Sequence, residues 1–118
     1  MNSKPDAASY APRLNAMNRR HAEEMAKRRD KARTEAERIA ALFHAQLHGL
    51  EAVWAFGSAF EESKPFTEIS DIDLAIEGGN LIEAVKIAYS SPFKVDVVDI
   101  TGCSDDFARM VRSYGTRV

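Results

Sequence analysis

At 118 residues, with 45% hydrophobic and 29% charged side chains, the chain has the size and balance of one folded domain with a modest core, which excludes disorder throughout and leaves no room for a second substrate-binding domain. Its formal charge of −2 is unevenly spread: residues 1–38 carry 10 Lys and Arg against 6 Asp and Glu, and residues 39–118 carry 6 against 12. So acidic a second part does not favour nucleic acid as a surface partner. Cys103 is the only cysteine, so no disulfide can form within the chain, and a reducing, cytoplasmic setting is expected. No run from Met1 onward has the apolar length of a signal peptide or a membrane span, so no membrane role is expected.

Residues 1–12 place Pro5 and Pro12 among small and polar residues and read as a flexible lead-in to one domain over 13–118. From 13 to 48 there is neither Gly nor Pro, and Ala, Arg, Glu, Lys and Leu dominate, which predicts one long helix. Ile39, Ala40, Phe43 and Leu47 recur at helical spacing and should pack on the core. Leu14, Met17 and Met25 are sparse, so the first half should project or meet a partner. The run Arg19-Arg20, Lys27-Arg28-Arg29, Lys31 and Arg33 reads as a solvated face, with Glu23 four residues before Lys27 and Glu24 four before Arg28. Docking onto an acidic partner is the alternative. His44 and His48 share a helical face, but no third ligand at metal spacing accompanies them, and they read as surface or packing residues.

Gly49 should end the helix. A strand is then expected over Glu51–Phe56, a polar loop over Ala59–Ser70, a strand over Ile72–Glu77, and a turn at Gly78-Gly79-Asn80. A short amphipathic helix should start near Leu81, a third strand should cover Phe93–Ile100, and a last helix capped by Ser104 or Asp105 should reach about Ser113. Trp54 reads as a core aromatic and Cys103 as a small residue at a turn.

The chemistry concentrates in two places. The first strand ends in Gly57-Ser58: glycine lets the backbone turn and approach a ligand, and serine offers a hydroxyl and an N–H to a phosphate oxygen. The second strand opens with Asp71 and Asp73, which alternation sets on one face, opposite Ile72, Leu74 and Ile76. Neighbouring carboxylates repel unless a cation lies between them, and Mg²⁺ is commonly held by one or two carboxylates together with substrate phosphates. Asp96 falls on the face of Val98 and Ile100, where an unpaired buried acid would be costly without a role. Asp99 lies on the other face and reads as a turn or cap residue. A solvated strand end without metal is the plainer reading of Asp71 and Asp73. Ser58 as a nucleophile lacks an accompanying histidine and acid.

Phe56-Gly57-Ser58, a loop, Ser70-Asp71-Ile72-Asp73-Leu74 and then Val95-Asp96-Val97-Val98-Asp99 together resemble the minimal nucleotidyltransferase (MNT) group of the DNA polymerase beta superfamily. The resemblance runs from about Ile39 to the C-terminus, where Ser113-Tyr114-Gly115 and Val118 look like the family's ending. It implies an α+β nucleotidyltransferase fold: a small mixed β-sheet flanked by helices. It also implies transfer of a nucleoside monophosphate from ATP or another NTP to a hydroxyl. Gly57 and Ser58 would then hold the β- and γ-phosphates, and Asp71, Asp73 and Asp96 would bind two Mg²⁺ ions. Many such proteins resemble antitoxins that add AMP to a tyrosine of a helical HEPN ribonuclease toxin, so a HEPN-like partner is implied, with homo- or hetero-oligomers left open.

One departure stands out. Where many members have an arginine and a glycine after Gly-Ser, this loop reads Ala59-Phe60-Glu61-Glu62-Ser63-Lys64-Pro65, and two glutamates disfavour a triphosphate unless they face solvent. The competing reading is therefore a non-catalytic antitoxin of the same fold that inhibits by binding alone. Transfer onto a small antibiotic fits less well, because such enzymes generally carry an extra domain.

Overall fold

Residues 7–118 are described by the computed structural model, with side chains from Arg13 onward. The expected lead-in over residues 1–6 lies outside the described residues. Helix α1 runs over Ala7–Gln46 and starts before the expected residue 13. Pro12 falls in its second turn, where a proline removes one intrahelical hydrogen bond close to an end that lacks partners in any case. The helix stops just before Gly49, whose φ of +76° lies in the left-handed region that glycine enters without cost.

Strands β1 (Ala52–Phe56), β2 (Ile72–Glu77) and β3 (Val95–Asp99), helices α2 (Leu81–Ala88) and α3 (Asp105–Tyr114), and the two-residue strand β4 (Thr116–Arg117) complete the chain. The sheet order is β3-β2-β1-β4, parallel between β2 and β3 and antiparallel elsewhere. Helix α2 is the crossover that a parallel pair requires. It starts at Asn80, whose side chain accepts a hydrogen bond from Glu83 N at 3.1 Å. The fold is thus α+β, a mixed sheet with helices and a long N-terminal helix, as the sequence pattern implies.

Alternation splits the core between the two faces of the sheet. Val53, Ala55, Ile72, Leu74 and Ile76 are buried with Ala32, Ala36, Ile39 and Phe43 of α1 and Ala84 of α2, and Val95 and Val97 pack against them. On the other face Ala75 and Ile100 are buried with Ala108 and Val111 of α3, edged by Trp54, Phe56, Val98 and Phe107. Strand β3 is shorter than expected, yet the ladder continues past both ends: Ile72 N donates to Lys94 O and Ile100 N to Ile76 O, each at 3.0 Å. Two residues are too few to carry a period-2 signal, so β4 has no signature in the sequence. Gly115 makes it possible: a Cβ there would lie 2.5 Å from Val111 O and 3.1 Å from Ala55 O.

Candidate functional site

Strand β1 delivers the chain to Gly57 beside the second residue of β2. Gly57 has φ +77°, and a Cβ built there would meet Asp73 Oδ2 at 2.1 Å. The conformation favours glycine, and any side chain there would push the Asp73 carboxylate aside. The backbone then closes a helical turn in which Gly57 O accepts from Phe60 N at 3.0 Å and Glu61 N at 2.9 Å. Ser58 is half-buried at the start of that turn.

The register sets Asp73 opposite Phe56 on β1 and opposite Asp96 on β3. Two like charges directly across a ladder destabilise the pair of strands, so this fold carries a local electrostatic cost at its sheet end. The cost shows on Asp73, whose carboxyl is pushed up to about 6, first by burial, then by Asp96 and Asp71. Glu61 adds to the rise and Lys64 opposes it. Asp71, one residue before β2, is 29% exposed, with Lys94 Nζ 3.5 Å from its Oδ2. Asp96 corrects one expectation. It shares a face with Val98, but the cover supplied by α3 reaches Val98 and not Asp96, which is exposed to solvent.

Asp71, Asp73 and Asp96 thus gather at one end of the sheet, against Gly57. Among the described residues no three His, Cys, Asp or Glu side chains converge closely enough to hold an ion alone. A hard cation completed by phosphate oxygens still fits the donor set, because Asp73 and Asp96 repel each other and a cation between them would relieve that repulsion. This end of the sheet is open surface. The groove of about 350 Å³ between α1 and the β1–β2 loop is lined by Met25, Arg29, Lys64 and Phe66 and by none of Gly57, Ser58, Asp71, Asp73 and Asp96.

The loop glutamates separate. Glu62 is 84% exposed, with Arg33 Nη2 at 4.0 Å. Glu61 is 15% exposed and pairs with Lys64 at 2.8 Å, so it turns inward rather than to solvent. The basic stretch of α1 also departs from a purely solvated face. Arg28 lies over the Phe93 ring at 4.9 Å, Arg29 over Phe66 at 5.8 Å and Arg33 over Phe60 at 5.8 Å. Arg33 Nε also donates to Ala59 O at 2.6 Å, and Arg29 Nη2 to Lys64 O. These contacts cross 26 and 35 residues, a separation that no local sequence signal reports.

Of the remaining residues, Asp99 closes a turn by accepting from Thr101 N at 3.0 Å. Cys103 is exposed, and its Sγ donates to Asp99 O at 3.2 Å. His44 Nε2 lies 3.0 Å from Val118 O. Trp54 is half-buried and donates its indole N–H to Glu77 Oε1 at 2.8 Å, which also accepts Arg112 Nε at 2.9 Å. Arg112 first and burial against it leave the Glu77 carboxyl below the usual glutamate range.

No family model matches the chain, and no curated protein matches it. Two solved structures are similar. A crystal structure of a toxin–antitoxin with AMP-PNP is 22% identical, with a TM-score of 0.55, over 71% of this chain and 69% of that one. A crystal structure of a mutant of the toxin–antitoxin MntA-HpeT is 23% identical, also with a TM-score of 0.55, over 69% of each chain. At this identity the likeness shows a shared fold. Among the described residues no helix is long and apolar enough to cross a membrane.

Proposed function

We propose that the chain is a Mg²⁺-dependent nucleotidyltransferase that serves as the antitoxin of a toxin–antitoxin pair, moving AMP from ATP to a hydroxyl of a HEPN-type ribonuclease. The observation that carries this reading is the seat of Asp73. It is half-buried, directly across from Asp96, and so close to Gly57 that a Cβ at that position would displace its carboxylate. A fold keeps such a repulsive pair at an open sheet end when a cation is to be bound there. That similar folds include toxin–antitoxin structures, one of them with AMP-PNP, supports the choice of nucleotide and partner.

In this reading Asp71, Asp73 and Asp96 hold Mg²⁺. When bound, the metal would supply positive charge to the attacking and leaving oxygens as the acceptor hydroxyl, losing its proton, bonds to the α-phosphorus and the α–β phosphoanhydride bond breaks to release pyrophosphate. The Ser58 hydroxyl and the N–H groups at Gly57-Ser58 receive the terminal phosphates. A cation bound there would lower the Asp73 carboxyl from about 6 toward the ordinary aspartate range and so offset the repulsion from Asp96 and Asp71. Asp96, the exposed member, faces the side from which an acceptor hydroxyl brought by a partner would come.

A second reading, inhibition by binding alone, is favoured by one observation: Glu61 turns inward beside Asp73 and occupies Lys64, the cation of the loop. The two readings separate when the chain, Mg²⁺ and ATP labelled at the α-phosphate are incubated with a HEPN-type partner. The enzyme reading expects label on the partner with the native chain and none with Asp73→Asn, and inhibition that survives dilution. Unlabelled partner that recovers activity on dilution would establish the binding-only alternative.

A further inference from the structure

The Gly57-Ser58 turn has no free cation on its own loop: Ala59, Phe60, Glu61, Glu62 and Ser63 follow it, and Lys64 is paired to Glu61. Positive charge reaches the loop from α1 instead. Arg33 donates through Nε to Ala59 O at 2.6 Å, with its guanidinium over Phe60. Four residues earlier, and so on the same helical face, Arg29 donates to Lys64 O and lies over Phe66. Ala32 and Ala36, both fully buried, let that face approach closely. The two carbonyls bracket the loop, one immediately after Gly57-Ser58 and one at its far end. Hydrogen bonds from an ionised donor are about twice as strong as neutral ones, and a planar guanidinium both donates and stacks in a fixed orientation.

We propose that Arg33 and Arg29 are positioning residues for the nucleotide-binding turn, bracing it from α1 and supplying the charge that its own loop lacks. The proposal rests on the nucleotide-binding reading above. Beside the brace, the backbone bonds of the turn that sets Gly57 against Asp73 are those from Phe60 N and Glu61 N to Gly57 O, with Ala59 buried in the core behind it. Those two amides therefore report the brace directly, in the absence of any ligand.

The test measures amide hydrogen exchange at Phe60 and Glu61, and calorimetric binding of ATP with Mg²⁺, in the full chain and in Arg33→Ala, Arg33→Lys, Arg29→Ala and Arg38→Ala. Arg33→Ala is expected to speed exchange at both amides and to weaken ATP binding, each by about tenfold, the worth of one charged hydrogen bond. Arg33→Lys recovers part of both, because it keeps a charged donor without the planar stack. Arg38, exposed and paired with Glu35 on the same helix, is the control, and its loss changes neither. Unchanged exchange in folded Arg33→Ala overturns the proposal; if that variant does not fold, unchanged exchange in Arg29→Ala and Arg33→Lys does so. Should the native chain bind no ATP even with its partner present while exchange still accelerates, the nucleotide reading fails and the brace stands.

Discussion

Asp73 is where the chemistry and the stability of this protein pull in opposite directions. Its carboxyl is raised to about 6, so the folded chain holds that proton more tightly than the unfolded chain does. The sign follows from linkage: between the ordinary aspartate value and about 6 the native state binds more protons, so stability falls as pH rises through this window, and the full penalty persists above it. Partial exposure screens the effect, leaving about 1–2 kcal/mol at neutral pH. Asp73→Asn should therefore be more stable than the native chain by about that amount at pH 7, and less so toward pH 4; urea unfolding across that range checks it. Equal stability at pH 7 would contradict the repulsion assigned to the carboxylates. Gly57→Ala should act the other way. A Cβ at φ +77° is strained by about 1–3 kcal/mol, and it would displace the Asp73 carboxylate. Because that carboxylate is a side chain that can swing aside, the variant should fold with a lowered thermal midpoint and lose nucleotide binding. Native-like binding would show that the close approach has no role.

At the scale of elements, Glu77 ties β1, β2 and α3 together by accepting from Trp54 and Arg112. Its carboxyl is depressed, so the stability it contributes is present above the ordinary glutamate value and is lost as pH falls through the lower folded value. Glu77→Ala leaves the half-buried indole N–H without its acceptor and should cost about 1–3 kcal/mol at pH 7, read by urea unfolding, with the difference shrinking in acid. The elements themselves were largely legible. Period-2 alternation located β2 to the residue, and Ser104 capped α3, accepting from Phe107 N at 3.3 Å. Of the candidate site, what was legible is proximity: Gly57, Asp71 and Asp73, picked out by residue type and spacing, do come together at one end of the sheet. Asp96 was found by face, but its exposure was not, because alternation says which face a residue occupies and not how far a covering helix reaches. The arginine contacts of α1 escaped entirely, since their partners are backbone carbonyls and rings in a loop far along the chain. Glu23 and Glu24 at helical spacing offered a nearer and plainer account of the same charges.

The whole molecule measures 73 × 30 × 18 Å, long for its residue count because α1 extends past the sheet. Among the residues of α1 whose side chains are described, full burial begins at Ala32, whereas Leu14 is 54% and Met17 61% exposed. A chain beginning at Met25 keeps Arg29, Arg33 and every core residue of the helix. It should unfold within about 0.5 kcal/mol of the full chain, the spread of ordinary surface changes, and a larger loss would place part of the core in the projecting half. The central claim is that the carboxylate end of the sheet and the Gly57-Ser58 turn form one nucleotide site. Calorimetric titration of ATP with Mg²⁺ into the native chain and into Asp71→Asn/Asp73→Asn tests it most directly. The account predicts binding by the native chain and none by the variant, which stays folded and gains stability. Equal binding by both chains, or none by the native chain even with its partner present, would contradict it.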